Sequence, residues 1–148
     1  RGVVERAATL GLRYEMDVTV IANSFDAHRL TQLAKTHGLG DAMEERLFKA
    51  YFTEGANIAD VDTLLHLGTD IGLPEADVHA MLAGADFTDA VRSDEREAQQ
   101  LGIPGVPFFV LDRRYAVSGA QAADHFLSAL EQAWRERVPS GTSLATKP

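Results

Sequence analysis

The chain of 148 residues contains no cysteine. That excludes disulfides, thiolate metal sites and a cysteine nucleophile within these residues. It leaves the redox compartment open, because a cysteine-free chain suits reducing and oxidising surroundings alike. Basic residues are scarce: 14 Lys and Arg stand against 22 Asp and Glu, a net charge of −8. This balance argues against nucleic acid, which is bound through clustered Lys and Arg, and against an anionic membrane surface. No apolar run approaches the length of a membrane span. The opening "RGVVERAATLG" lacks the apolar core of a signal peptide, and a cytoplasmic location is expected. It also lacks an initiator Met, so Arg1 is not expected to be the gene's own start. None of the five histidines, His28, His37, His66, His79 and His125, falls into a metal motif, and no metal is expected. Hydrophobic content of 45% and charged content of 24% are ordinary for a globular protein.

Periodicity divides the chain. Val3 to Leu10 has a short helical pattern stopped by Gly11, and "LRYEMDVTVIAN", Leu12 to Asn23, reads as extended. Residues 1–23 are therefore a connecting helix and an extended segment. A block of helices with short links follows over 24–101. "SFDAHRLTQLAKTHG" has Ser24 as N-cap, Ala27, Leu30 and Ala34 on one face, and Gly38 as its stop. Between Asp41 and Glu54, Met43, Leu47, Phe48, Tyr51 and Phe52 form a broad apolar stripe that reads as core. Asp60 caps the next helix, and Pro74 suits the first turn of the one after it. "DFTDAVRSDEREAQQLG" places Phe87, Val91, Ala98 and Leu101 inward. The acidic "DVD" at Asp60 to Asp62 lacks the remaining ligands of a calcium loop and is explained by the helix dipole.

The rhythm changes at Gly102. Over 102–137, "VPFFVL" and "YAVSG" flank a polar turn "DRR" as a β-hairpin, and the closing helix carries Phe126, Leu127, Leu130, Ala133 and Trp134 on one face. "PFFVL" reads as buried on both sides. Residues 138–148, small, polar and Pro-bearing, read as a disordered tail. In "GIPGVPFFVLDRRYAVSGA" two prolines precede the first strand. Proline cannot donate to a sheet ladder, so they belong at the strand's entrance. A cis Val106–Pro107 bond there would turn the chain sharply. Val106 would then offer its own N–H and C=O to an extended peptide, and Gly102 and Gly105 would permit close approach of another backbone.

The string "GIPGVPFFVLDRRYAVSGAQ" resembles the second half of the thioredoxin fold in DsbA-family oxidoreductases, nearest to the FrnE-like branch, relatives of 2-hydroxychromene-2-carboxylate isomerases. "NSFDAHRLTQLAKTHG" and "LFKAYFTEGANIADVDTLLHLGTDIGL" resemble that branch's inserted helices, in the same order. The resemblance covers about residues 1–136. It implies an α/β fold: the C-terminal half of a thioredoxin fold, a β-hairpin plus helix, with an inserted mostly helical domain. It implies that Gly105, Val106 and Pro107 form a substrate-binding cis-proline loop. The family's Cys-x-x-Cys, with thiolates stabilised at a helix N-terminus, has no counterpart, and the strand–helix–strand unit that carries it is expected upstream of residue 1.

The expected function is thus part of a protein thiol–disulfide oxidoreductase, inactive as the cysteine-free chain alone, without cofactor and with a protein or peptide thiol or disulfide as partner. One alternative is a glutathione-dependent isomerase or transferase of the kappa type. There a hydroxyl near the first helix would activate glutathione, and the loop would hold the tripeptide's backbone. Another is a non-enzymatic peptide-binding module. A homodimer is a further expected assembly.

Overall fold

The computed structural model describes residues 2–137. The chain divides at Arg96/Glu97 into two compact units. The first holds helices α1 (Gly2–Thr9), α2 (Phe25–Thr36), α3 (Gly40–Phe52), α4 (Val61–Asp70) and α5 (Glu75–Ala83). Helix α6 (Thr88–Gln100) runs across the division. The second unit holds strands β1 (Phe108–Leu111) and β2 (Tyr115–Ser118) and helix α7 (Ala123–Glu136). Among the described residues, mostly helical with one two-stranded antiparallel sheet, the arrangement is the α/β one expected: a β-hairpin plus helix together with a helical insertion. The tail at 138–148 lies outside the described residues.

In the first unit, α2 packs against α3, α4 and α5. Leu30, Ala34, Met43, Leu64 and Val78 are fully buried there. Each is a helix position recurring at three or four residues, so the apolar stripes of four helices meet in one core. Asp60 caps α4 as the sequence indicates: its carboxylate accepts from the backbone N–H of Thr63 at 2.8 Å. That bond and a second from the Thr63 hydroxyl hold the Asp60 carboxyl below its ordinary pKa. Ser24 occupies the N-cap position of α2, but its side chain caps nothing. Asn23 serves the helix start instead, its Oδ1 accepting from Phe25 N–H at 2.9 Å.

Residues 12–23 do not form a strand. They run as irregular backbone with a turn over Met16–Val18, because among the described residues no strand lies beside them to pair with. The segment is held to the end of α3 instead. Glu15 N–H donates to the Phe52 carbonyl at 2.7 Å, the Thr53 hydroxyl donates to the Arg13 carbonyl at 2.6 Å, and Tyr14 stacks on Phe52 at 4.6 Å. Gly55 makes this strap possible. Its φ is +65°, and a Cβ there would stand 2.7 Å from the Val18 carbonyl oxygen. Gly55→Ala is expected to destabilise the first unit by about 2 kcal/mol or more, the left-handed backbone contributing about 1–2 kcal/mol and the displaced strap the rest. Gly38, at φ +71° with open space around it, is the control: Gly38→Ala carries the backbone cost alone. Equal shifts in thermal midpoint for the two variants would show that the strap does not press on Gly55.

In the second unit the strands pair antiparallel, Phe109 opposite Val117 and Leu111 opposite Tyr115. Alternation puts these four on one face. Val117 is buried, and Phe109 meets Phe126 of α7 edge to face at 4.8 Å. Three expectations from the sequence are not met. "PFFVL" is not buried on both sides: Phe109 and Val110 remain 41% and 38% exposed. Nor does α7 bury its whole apolar stripe. Ala133 is buried and Phe126 half-buried, while Leu127, Leu130 and Trp134 face outward. A two-stranded sheet is too narrow to cover more than one side of a helix. Leu101, expected inward, is also exposed.

Candidate functional site

The loop between α6 and β1 is built by its ends. Helix α6 closes with Gly102 N–H donating to Gln99 C=O and Ile103 N–H to Ala98 C=O, with Gly102 at φ +66°. The positive φ reverses the chain after the last turn, a conformation glycine adopts without the Cβ clash. At the other end the Pro107 carbonyl accepts from Gly119 N–H at 2.8 Å, extending the hairpin by one bond beyond the strands. The Gln121 side chain, donating to the Ser118 carbonyl at 2.8 Å, steadies the same corner.

Gly105, Val106 and Pro107 lie between these anchors. The Val106–Pro107 peptide bond is cis. All three residues are exposed, Val106 by 92%, and a Cβ on Gly105 would meet nothing within 4 Å. Among the described residues, neither the N–H nor the C=O of Val106 has a hydrogen-bond partner. An exposed apolar residue with a free backbone donor and acceptor is the kind of group an added strand would engage.

The far side of the hairpin is tied to α7 by Tyr115, whose hydroxyl donates to the Glu136 carboxylate. That bond raises the Tyr115 pKa and, with a second bond from Gln132, lowers that of Glu136. Glu136 therefore adds stability that is present above the ordinary carboxylate range and lost as pH falls through its lowered pKa. Tyr115 adds stability that is lost as pH rises through its raised one.

The first unit contains a groove of about 580 Å³, which sequence reasoning missed. One wall is the aromatic stripe of α3, read from the sequence as core. Met43 does lie in the core, but Phe48 is 57% exposed, and Tyr51 and Phe52 are half-buried against the groove. Helical spacing gave Phe48 the same signature as Met43, so periodicity could not separate the two. Among the described residues no group of three or more His, Asp or Glu side chains is arranged to hold a metal ion, and no helix is long and apolar enough to cross a membrane.

The model of the DSBA-like thioredoxin domain matches residues 3–131. The chain belongs to this family. It is 43% identical to the probable DsbA oxidoreductase SCO1869 of Streptomyces coelicolor, whose crystal structure superposes with a TM-score of 0.90 over 97% of this chain and 62% of that one. The cytosolic disulfide reductase DsbM of Pseudomonas aeruginosa is 26% identical, with a TM-score of 0.63 over 90% of this chain and 70% of its own. A structure of DsbM with GSH gives the same TM-score at 27% identity, over 87% and 68% of the two chains. The uncharacterized protein YwbO of Bacillus subtilis (strain 168) is 29% identical over 105 residues, 70% of this chain. The chain spans about half the length of YwbO (52%) and about six-tenths (62%) of the Streptomyces protein. The DsbA-family match covers both the helical unit and the hairpin with its loop.

Proposed function

We propose that this chain is the helical and substrate-facing part of a protein thiol–disulfide oxidoreductase of the FrnE-like branch, acting in the cytoplasm. The observation that carries the reading is the free backbone of Val106, offered by an exposed loop in a chain of the DsbA family. In this reading a substrate segment pairs with the Val106 N–H and C=O as an added strand, and Pro107 and Gly105 keep other side chains out of its way. The thiols lie outside these 148 residues, which hold no cysteine. A thiolate there attacks one sulfur of the substrate disulfide, a new S–S bond forms, the old one breaks, and the second substrate sulfur leaves as thiolate. Membership of the family and the likeness to proteins named as DsbA oxidoreductase and disulfide reductase support the reading, and the word cytosolic in the DsbM name supports the compartment.

A second reading rests on the similar structure that was solved with GSH: the same loop would hold the backbone of glutathione in a kappa-type isomerase or transferase. Calorimetric titration with glutathione separates the two, since only the second requires binding in the absence of a protein substrate.

The 148-residue chain alone is expected to show no insulin-reductase or dithiol-oxidase turnover, because exchange needs a thiolate and the chain has none. The polypeptide extended through the codons upstream of Arg1 is expected to carry a Cys-x-x-Cys and to turn over. In it, Val106→Pro removes one backbone donor and is expected to lower kcat/KM by about tenfold, the loss of a hydrogen bond of about 1 kcal/mol or somewhat more. Turnover by the cysteine-free chain, or an extended polypeptide without thiols, would sink the proposal.

A further inference from the structure

The groove in the first unit has the size and lining of a binding site, and nothing above gives it an occupant. Its volume of about 580 Å³ falls within the range of about 300–1,000 Å³ common to ligand sites. Its floor is apolar: Leu47, Phe48, Tyr51 and Phe52 of α3, with Ile58 and Val91. The wall is firm, because Phe52 is stacked on Tyr14 and meets Tyr51 edge to face at 5.0 Å. Ile21, next in sequence to the lining residue Ala22, is 96% exposed.

Charge decides what suits this floor. The rim carries Glu44, Asp94 and Glu95 against Lys35 and His28. Glu95 is paired with Arg92 at 2.7 Å, and Asp94 accepts only the neutral Gln32 amide, at 2.8 Å. Among the described residues Glu44 has no salt-bridge partner. The surrounding field has the same sign. Residues 1–96 hold 17 acidic and 9 basic side chains, which is the whole net charge of −8, whereas residues 97–148 hold five of each. An acidic occupant would enter against this field and a basic one with it.

We propose that the groove docks an apolar segment of polypeptide flanked by Lys or Arg, its apolar side chains on the Phe48 wall and its cations at Glu44 and Asp94. Only the choice of a polypeptide as occupant rests on the reading of the chain as part of a protein oxidoreductase. The groove's lining shares no residue with the Val106 loop, and the proposed docking uses no thiol.

The test is fluorescence anisotropy of two cysteine-free peptides with the 148-residue chain. One carries Leu and Phe between lysines, and its twin has Glu in place of Lys. The Lys-flanked peptide is expected to bind, and to weaken at least about tenfold from low salt to ~0.5 M salt as the rim charges are screened. Phe48→Ser is expected to weaken it by a similar factor. So is the double variant Glu44→Lys/Asp94→Lys, which should also bind the Glu-flanked twin better than the parent does. All these residues are exposed, and far-UV circular dichroism checks each fold. Equal binding of both peptides, or binding that neither variant changes, overturns the proposal. Binding that strengthens only as the chain is diluted also overturns it, since a second copy would then be the occupant. Because the probes lack cysteine, failed exchange in the extended polypeptide and failed binding here are separate results.

Discussion

Arg29→Ala is expected to destabilise the helical unit by about 2–4 kcal/mol, the cost of leaving carbonyls at a buried fork without a donor. Arg29 is only 5% exposed. Its guanidinium uses all three nitrogens: Nε donates to the Asp86 carbonyl at 2.8 Å, Nη1 to the Asp26 carboxylate at 2.8 Å, and Nη2 to the carbonyls of Met81 at 2.5 Å and Gly84 at 2.8 Å. Three of these acceptors are backbone groups at the end of α5 and in the link to α6. Helix C-termini leave carbonyls without partners, and here one planar fork on α2 satisfies those of a neighbouring element. Alanine would strand them and leave a void. Arg29→Lys keeps the charge but cannot present three donors in a plane, so about half the loss should remain. Urea denaturation followed by helical circular dichroism measures both. A shift under about 1 kcal/mol for Arg29→Ala would mean that water replaces the fork without difficulty, and that the α5–α6 link does not depend on it.

The 148-residue polypeptide is expected to self-associate at micromolar concentrations, and Val110→Lys together with Trp134→Glu to return it mainly to monomer. The cause lies in the second unit. Among the described residues its sheet has two strands, a number marginal by itself in water, and each has an edge unpaired there and open to another chain. Val110 lies on the face away from α7, and Leu127, Leu130 and Trp134 are 56%, 50% and 66% exposed on α7 itself. Such a collection of apolar groups marks a surface that associates. The five acidic and five basic residues of 97–148 supply no net repulsion to prevent it. Light scattering after size-exclusion chromatography gives the mass. A stable parent monomer with a single cooperative melt would show that the hairpin and α7 suffice as a core.

Much of this was legible in local chemistry. Asp60, Gly38 and Gly102 mark helix ends because a carboxylate before free N–H groups, and a glycine after the last turn, act within a few residues of themselves. The hairpin was legible for a similar reason: two apolar runs about a three-residue polar turn have one simple pairing. The Gly105–Pro107 loop could be located from its two prolines at a strand entrance, though the role proposed for it rests on family resemblance and on the free Val106 backbone.

Other features were decided only by assembly. A burial pattern shows that a helix has an apolar face, not whether enough structure exists to cover it. Met43 and Phe48 share one helical stripe, yet one is in the core and the other walls a groove. Phe126 and Trp134 share another, yet only Phe126 meets the sheet. Arg29 gives the sharpest case. By residue type it belongs on the surface, and the sequence supplies no acceptor near it except Asp26. Its other partners lie more than fifty residues away, brought to it by the packing of α2 on α5, and only that packing supplies the acceptors a buried guanidinium requires.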